Sequence, residues 1–265
     1  MGILPSKKNK YPNPFNSINL MTMKKIMLFI FSFSLITVLS AQVGKRIKGN
    51  GNLITLERNV GPYDGIALSG WFNVALVEGA EGLLTLEGDE NLLEHLETIV
   101  KNGTLHIRTE KGYQLQSESW NSKTLTVKVP IASINEISLS GSGEISGTAK
   151  ITSDFFRGTM SGSGKLQLNL ETSESKINVS GSGNLNLSGT SNKLDVHISG
   201  SGDFRGFEFD CQDVSAVISG SANMRITAIE SLTARVSGSG NIYYRGNPKH
   251  IDTKTSGSGE VKPQK

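Results

Sequence analysis

The sequence predicts an all-β solenoid, a parallel β-helix built from coils of about 19 residues. A Ser-Gly-Ser-Gly core recurs seven times between residues 140 and 259, at spacings of 18 to 21 residues, and Ala222 replaces its second glycine once. Apolar and polar residues alternate with a period of two through each repeat, which is a strand pattern. Such a unit is too short for a strand and a helix, and it buries its apolar face only by stacking on its neighbours.

The first 41 residues are predicted to lie outside the fold. Residues 23–41 are interpreted as a signal peptide, because Met23 and two lysines precede an apolar run of about 14 residues that ends in small side chains. This run is shorter than the roughly 20 residues that cross a bilayer. Residues 1–22 are interpreted as an upstream extension from a start codon placed before the true initiator. We therefore expect an exported protein, periplasmic, extracellular or on the cell surface, without a transmembrane segment after cleavage.

The basic character of the chain belongs to this leader. The net charge is +3, but five lysines and no acidic residue precede residue 41, which leaves 22 basic against 24 acidic residues in the remainder. A slight acidic excess gives no electrostatic basis for binding nucleic acid, so no nucleic-acid partner is predicted. The single cysteine, Cys211, excludes an internal disulfide and is predicted to be a small buried group.

Residues 42–130 are predicted to form the irregular first part of the solenoid and its N-terminal cap. The stretch 63–79, "YDGIALSGWFNVALVEG", has strand alternation, and its "SGWFN" resembles a degenerate SGSGN. In the stretch 88–100, "GDENLLEHLETIV", an acidic first turn and spaced apolar residues predict one short helix. A cap is expected because an open solenoid end exposes unpaired strand edges and apolar core.

Residues 131–265 are predicted to form the regular coils. When the repeats are aligned on their first serine, the residue before it and the fifth residue after it are apolar in nearly every copy, which predicts two buried columns. Glycine or alanine stands between them, where the chain turns a corner or approaches the opposite wall and a side chain would collide. The first serines would form a structural ladder, which alternation alone does not assign to the inner or the outer face. Its members are Ser140, Ser161, Ser180, Ser199, Ser219, Ser237 and Ser256.

The candidate ligand-binding residues lie four positions after the first serine of each repeat. That column reads Glu144, Lys165, Asn184, Asp203, Asn223, Asn241 and Glu260. We take Asn184, Asp203, Asn223 and Asn241 as the candidate site. Tyr243 is added as a platform on which a sugar could stack, because alternation directs Tyr243 outward and Tyr244 inward.

A second polar column lies four positions before the first serine and reads Glu136, Arg157, Lys176, Asp195, Ser215, Thr233 and Asp252. Arg157 and Lys176 fall on neighbouring rungs beside Asp195, so this column is an alternative place for an acidic sugar. The simpler interpretation is a solvated face of mixed charge.

No catalytic residue, metal site or cofactor is predicted. Glycan cleavage needs two carboxyl groups close together, whereas no two acidic residues occupy adjacent rungs of the candidate column. The four histidines lack metal-ligand spacing, and the serines lack the G-x-S-x-G elbow of hydrolases. One alternative stays open: a carbohydrate-active β-helix enzyme, a polysaccharide lyase or hydrolase, with its site in the loops between coils.

Several stretches also carry a family resemblance. "YDGIALSG", "LEGDENLLEHLE", "GTLHIR" and the serial SGSG coils resemble the auto-transporter adhesin, head GIN domain family, over about residues 55–262. The resemblance implies a single-stranded right-handed β-helix from bacteria of Bacteroidetes type, and it brings no catalytic residues with it. We therefore expect an exported, non-enzymatic binding or structural module of the cell envelope, which contacts glycans or an envelope protein through its polar faces.

Overall fold

The prediction of an all-β solenoid is confirmed. The structure, a computed structural model, describes residue 2, residues 44–117 and residues 125–264. Strands account for 75% and helices for 2% of it, and the strands form about seven turns with coils of about 19 residues. The predicted upstream extension and signal peptide lie outside the described residues, apart from Gly2. Among the described residues, no helix is both long enough and apolar enough to span a membrane.

Eighteen strands and one short helix are found in the described part of the chain. The N-terminal elements are β1 Lys45–Lys48, β2 Leu53–Asn59, β3 Gly65–Gly70, β4 Asn73–Glu78, β5 Leu83–Asp89, α1 Glu90–Leu93, β6 Leu96–Lys101, β7 Thr104–Thr109, β8 Tyr113–Gln116 and β9 Thr126–Ile131. The elements of the regular coils are β10 Glu136–Gly141, β11 Glu144–Gly162, β12 Lys165–Gly181, β13 Asn184–Gly200, β14 Asp203–Gly220, β15 Asn223–Gly238, β16 Asn241–Arg245, β17 His250–Gly257 and β18 Glu260–Pro263.

Successive coils pair as parallel strands in the register of the repeat. Ser161 in β11 pairs with Ser180 in β12, and Ser180 pairs with Ser199 in β13. Each repeat position therefore forms a column that runs along the solenoid, with neighbouring rungs about 4.8 Å apart. Both predicted apolar columns lie inside. The column five positions after the first serine is at most 1% exposed at Ile145, Leu166, Leu185, Phe204, Met224 and Ile242.

The serine corner explains why glycine recurs in every repeat. Gly181 has φ +112°, and a Cβ added there would lie 2.4 Å from the carbonyl oxygen of Gly162 on the preceding rung. That oxygen accepts a hydrogen bond from the Ser182 amide at 2.9 Å. The obstacle is therefore the neighbouring corner, and not the opposite wall of the coil. The second glycine of the core is under a weaker constraint, since Ala222 takes that position and is fully buried.

The N-terminal part contributes rungs that do not follow chain order. Strands β3 and β4 form a rung beside β10 and β11, in which Ser69 pairs with Ser140 and Asn73 with Glu144. This confirms that "SGWFN" is a degenerate repeat. On the other side of this rung, β7 pairs with β3 and β9 with β4. Antiparallel strands complete this end of the sheet. Strand β6 pairs with β7, and β5 pairs with both β9 and β2.

The predicted short helix is present but ends at Leu93. Leu96 and Ile99, which were assigned to its apolar face, lie instead in β6, antiparallel to β7. The turn between these strands contains Asn102 and Gly103, at φ 51° and 79°. Two consecutive positive φ values at Asn-Gly are typical of a type I′ hairpin, and this local signal outweighs the helical spacing before it.

Cys211 is fully buried, as predicted, in an inward column beside Ser191 on the adjacent rung. Burial, with a smaller effect of the Asp210 charge, raises the pKa of the Cys211 thiol to about 12. The thiolate, which is the reactive form, is therefore scarce in the folded chain.

Alanine at the corner is expected to destabilise the fold strongly. For Gly181→Ala we expect the free energy of unfolding to fall by about 2–5 kcal/mol, because the positive φ costs about 1–2 kcal/mol and the clash with Gly162 adds about 1–3 kcal/mol. Gly61→Ala is the matched control, since Gly61 has φ +80° and no atom within 4 Å of the added Cβ. Urea denaturation followed by circular dichroism measures both. Equal losses would show that the contact between rungs is irrelevant.

Labelling of Cys211 should report on opening of the core. In the native chain we expect almost no reaction with a thiol reagent at mildly alkaline pH, because the thiol is both inaccessible and protonated. In concentrated urea the same thiol should react completely. Rapid stoichiometric labelling without denaturant, measured by absorbance and mass spectrometry, would contradict the buried position.

Candidate binding face

The predicted site residues lie together on one outward face. They belong to the column four positions after the first serine, which we call the asparagine column. Strand register links its members in the order Asn73, Glu144, Lys165, Asn184, Asp203, Asn223, Asn241 and Glu260. Because they alternate with buried residues on the same strands, these side chains face away from the core.

Side chains of the asparagine column bond to one another. Asn241 Nδ2 donates to Asn223 Oδ1 at 3.2 Å, and Asn223 Nδ2 lies 3.5 Å from Asp203 Oδ1. Asn241 Oδ1 in turn accepts the amide of Glu260 at 3.2 Å. Asn184 stands on the rung next to Asp203 and is exposed. The hydrogen-bonded part of the column therefore runs from Asp203 through Asn223 and Asn241 to the backbone of Glu260.

Tyr243 lies on the same face, in the adjacent column. This column, six positions after the first serine, contains Ser146, Gln167, Asn186, Arg205, Arg225, Tyr243 and Lys262. The Tyr243 ring has a cation on each neighbouring rung, with Arg225 Cζ 5.8 Å and Lys262 Nζ 5.4 Å from its centroid. Tyr244 packs against the core, in agreement with alternation. The predicted sugar platform is thus flanked by positive charge.

The cations of this column differ in their acidic neighbours. Lys262 Nζ donates to Glu260 at 2.7 Å, which lowers the pKa of Glu260 and raises the pKa of Lys262, so both stay charged near neutrality. Arg205 makes only a 3.5 Å contact with Asp203. Among the described residues, Arg225 has no carboxylate oxygen within 4.0 Å.

A bulge in β14 forms a groove that the sequence analysis missed. Asn186 pairs with Arg205 but Ser188 pairs with Glu208, so β14 has one extra residue relative to β13. On the other side Gly206 pairs with Ile226 and Asp210 with Thr227, so β14 has three extra residues relative to β15, and Phe207 is among them. The groove has a volume of about 440 Å³. Its lining consists of Gln167, Leu168, Asn186, Leu187, Ser188, Arg205, Phe207, Glu208 and Arg225. The bulge leaves a trace in coil length, since its coil has 20 residues against 19 in the coil before and 18 in the coil after.

The serine ladder occupies a different outward face. Its seven first serines are all exposed, and strand register places each directly beside the next, with Ser69 extending the row. Across Ser161, Ser180, Ser199 and Ser219 the surface is a shallow depression of about 290 Å³, bordered by His197. The column with Arg157, Lys176 and Asp195 borders the same strands, and there Asp195 lies 2.9 Å from His197.

Metal ligands are not grouped in the described ranges. Within residues 44–117 and 125–264, no three histidine, cysteine or acidic side chains lie close enough to hold an ion. In the asparagine column, Glu144 and Asp203 are separated by the rungs of Lys165 and Asn184. The face therefore offers hydrogen bonds and charge to a ligand.

Comparison with known proteins agrees with this architecture. A crystal structure of a putative adhesin from Bacteroides fragilis covers 82% of this chain and 100% of its own, at 23% identity and TM-score 0.74. A putative lipid binding protein and a putative adhesin from Parabacteroides distasonis each cover 83% of this chain and 100% of their own, at 24% and 22% identity and TM-scores 0.68 and 0.67. At these identities the likeness concerns the fold alone. Among curated proteins no match is found.

The family itself is established by sequence. The model for "Putative auto-transporter adhesin, head GIN domain" matches residues 62–248, which is well over half of the chain and includes both the degenerate first rung and most of the regular coils. The resemblance inferred from "YDGIALSG" and the SGSG coils is thereby confirmed, and the chain belongs to the head GIN domain family of auto-transporter adhesin-like proteins.

Proposed function

We propose that this protein is an exported, non-enzymatic binding module of the cell envelope that holds glycans through the outward face described above. Membership of an adhesin-like family supports a role in surface binding. The observation that carries the proposal is the pairing of two polar columns in register, the asparagine column and the column of Tyr243, on rigid strands. Export, the glycan ligand and the absence of catalysis are all parts of this proposal.

The chemistry of the face suits a sugar polymer. Amide side chains offer a donor and an acceptor each, which match the hydroxyl groups of a glycan. These hydrogen-bonding groups recur on neighbouring rungs about every 4.8 Å, so a linear polymer can make similar contacts on several coils. Aromatic rings at Phe207 and Tyr243 add apolar surface beside the polar groups.

A binding role fits this face better than cleavage does. The carboxylate of Asp203, the central acidic group of the asparagine column, lies near the amide of Asn223 and the guanidinium of Arg205, both at 3.5 Å. Cleavage of a glycosidic bond would need a second carboxyl group nearby. The neighbouring rungs carry Asn184 and Asn223, so that partner is missing from this column.

A glycan array tests the proposal, if it is scored for both retention of the protein and loss of the immobilised sugar. We expect reproducible retention on at least one class of glycan. Tyr243→Ala and Asn184→Ala should each weaken retention by about fivefold or more, the level of a contact that contributes substantially to an interface. Asn178→Ala is the matched control, because it removes a comparable amide from the serine-ladder face.

Three other outcomes would contradict the proposal in different ways. Cleavage of any glycan would replace it with a carbohydrate-active enzyme acting in the loops between coils. Equal losses for Asn178→Ala and Asn184→Ala would place binding elsewhere on the solenoid. Absence of binding to every glycan would point to an envelope protein as the partner, and pull-down from envelope fractions would then be the next measurement.

A further inference from the structure

The outward face becomes basic in its later coils. In the column of Tyr243, early rungs carry Gln167 and Asn186, and the next two carry Arg205 and Arg225. One position further along the face, Arg245 pairs with Thr227 at the end of β16. Three guanidinium groups therefore lie on three consecutive coils. Arg205 and Arg225 line the groove at the β14 bulge, and Arg245 lies over the ring of Phe207, which also lines it.

Two of these arginines lie over aromatic rings, in cation–π contacts. Arg245 Cζ lies 4.1 Å from the centroid of Phe207, and Arg225 Cζ lies 5.8 Å from that of Tyr243. The bulge makes the first contact possible, because the extra residues of β14 let Phe207 reach toward a coil two rungs away. The carbonyl of Phe207 is fixed in turn by a 2.9 Å hydrogen bond from Thr227 Oγ1.

The charge of these arginines is not matched by acidic partners. Among the described residues, neither Arg225 nor Arg245 has a carboxylate oxygen within 4.0 Å, and Arg205 has only its 3.5 Å contact with Asp203. Glu208 also lines the groove, so its lining holds one carboxylate and the two guanidinium groups of Arg205 and Arg225. A guanidinium that stacks on a ring keeps the donors at its edge available, in the fork that fits a carboxylate or sulfate with two hydrogen bonds.

We propose that this groove binds an acidic glycan, a linear polysaccharide that carries carboxylate or sulfate groups. Arg225 and Arg245 hold the anionic groups, and Phe207 packs against the apolar face of a sugar ring. The amide side chains of Gln167 and Asn186, which line the groove, would stand beside the hydroxyl groups of such a ligand. This inference rests on the proposed glycan-binding function and specifies the class of its ligand.

An acidic glycan fits the groove better than other polyanions do. The groove joins guanidinium groups to a half-buried aromatic ring and to the amides of Gln167 and Asn186, which suit hydroxylated rings as well as charge. The basic residues also cover a short strip on a chain that carries 24 acidic residues in all. A long polyphosphate or nucleic acid would extend beyond the groove onto a surface where acidic and basic side chains are mixed.

The test compares ligands that differ only in charge. Polygalacturonate and its fully methyl-esterified form share a backbone, and dextran sulfate and dextran form the corresponding sulfated pair. We expect the protein to bind at least one charged polymer, measured by biolayer interferometry. The affinity for its neutral counterpart should be lower by about tenfold or more. Affinity for the charged polymer should also fall as sodium chloride is raised.

Variants assign that binding to the groove. Arg225→Gln combined with Arg245→Gln should reduce the affinity for the charged polymer by about tenfold or more. Arg157→Gln is the matched control, because Arg157 also stacks on an aromatic ring, Phe155 at 5.6 Å, but lies in the column on the serine-ladder side. It should change the affinity less than about twofold. Circular dichroism verifies that each variant is folded.

The outcomes separate this inference from the function on which it rests. Equal binding of the charged and neutral polymers would overturn the acidic ligand and leave a glycan-binding module. Equal loss in Arg157→Gln and in the double variant, or equal binding of a linear polyphosphate, would show general attraction of polyanions and overturn the groove. No binding to any polymer here or on the glycan array would overturn the proposed function itself.

Discussion

A single backbone contact at each corner sets the geometry of the whole solenoid. The carbonyl oxygen of the corner glycine accepts an amide from the next coil, as Gly162 does from Ser182 at 2.9 Å. This approach is possible only because the next corner residue has no Cβ and adopts a positive φ, 112° at Gly181. Because the same contact recurs in every coil, it fixes the register of the strands on both sides of the corner. A slip of one residue would turn every buried side chain to the solvent.

Register is also what turns a repetitive sequence into a binding surface. Side chains at one repeat position stack into a column, so a substitution in one coil changes a single rung and leaves its neighbours in place. The two buried columns on either side of the serine corner vary in size, from Val179 to Phe204, but their buried members are apolar. The outer columns change in charge along the axis, from Glu144 and Lys165 through amides to Arg225. The fold constrains the inside strongly and the outside weakly, which leaves the outer face free to specify a partner.

The features that were predicted from sequence are those fixed by local spacing. Coil length, the two apolar columns and the outward position of Tyr243 all follow from alternation around the SGSG core. The order of the N-terminal rungs does not follow from alternation. Strand β10 pairs with β3, which is distant in the sequence, and no local pattern encodes that pairing. The Asn102-Gly103 dipeptide is a sequence signal for a hairpin, but the helical spacing of the preceding apolar residues favoured a helix instead. The outward position of Phe207 was not predicted, because an inserted residue in β14 breaks the alternation from which all the other positions were assigned.

The β14 bulge also bears on how a polymer would be positioned along a repetitive surface. On a face of equivalent rungs about 4.8 Å apart, a polymer can shift by one coil and regain nearly the same contacts, so its register on the protein is poorly defined. Repeated contacts give affinity through high effective concentration, but they do not select one position. The β14 bulge removes the equivalence, because Phe207 and its stacked Arg245 occur at one place along the column. Bulges in sheets re-aim side chains in this way, at a local cost in strand pairing. On this solenoid, regular coils supply the scaffold and the columns, and the β14 bulge would supply a fixed point for the proposed ligand.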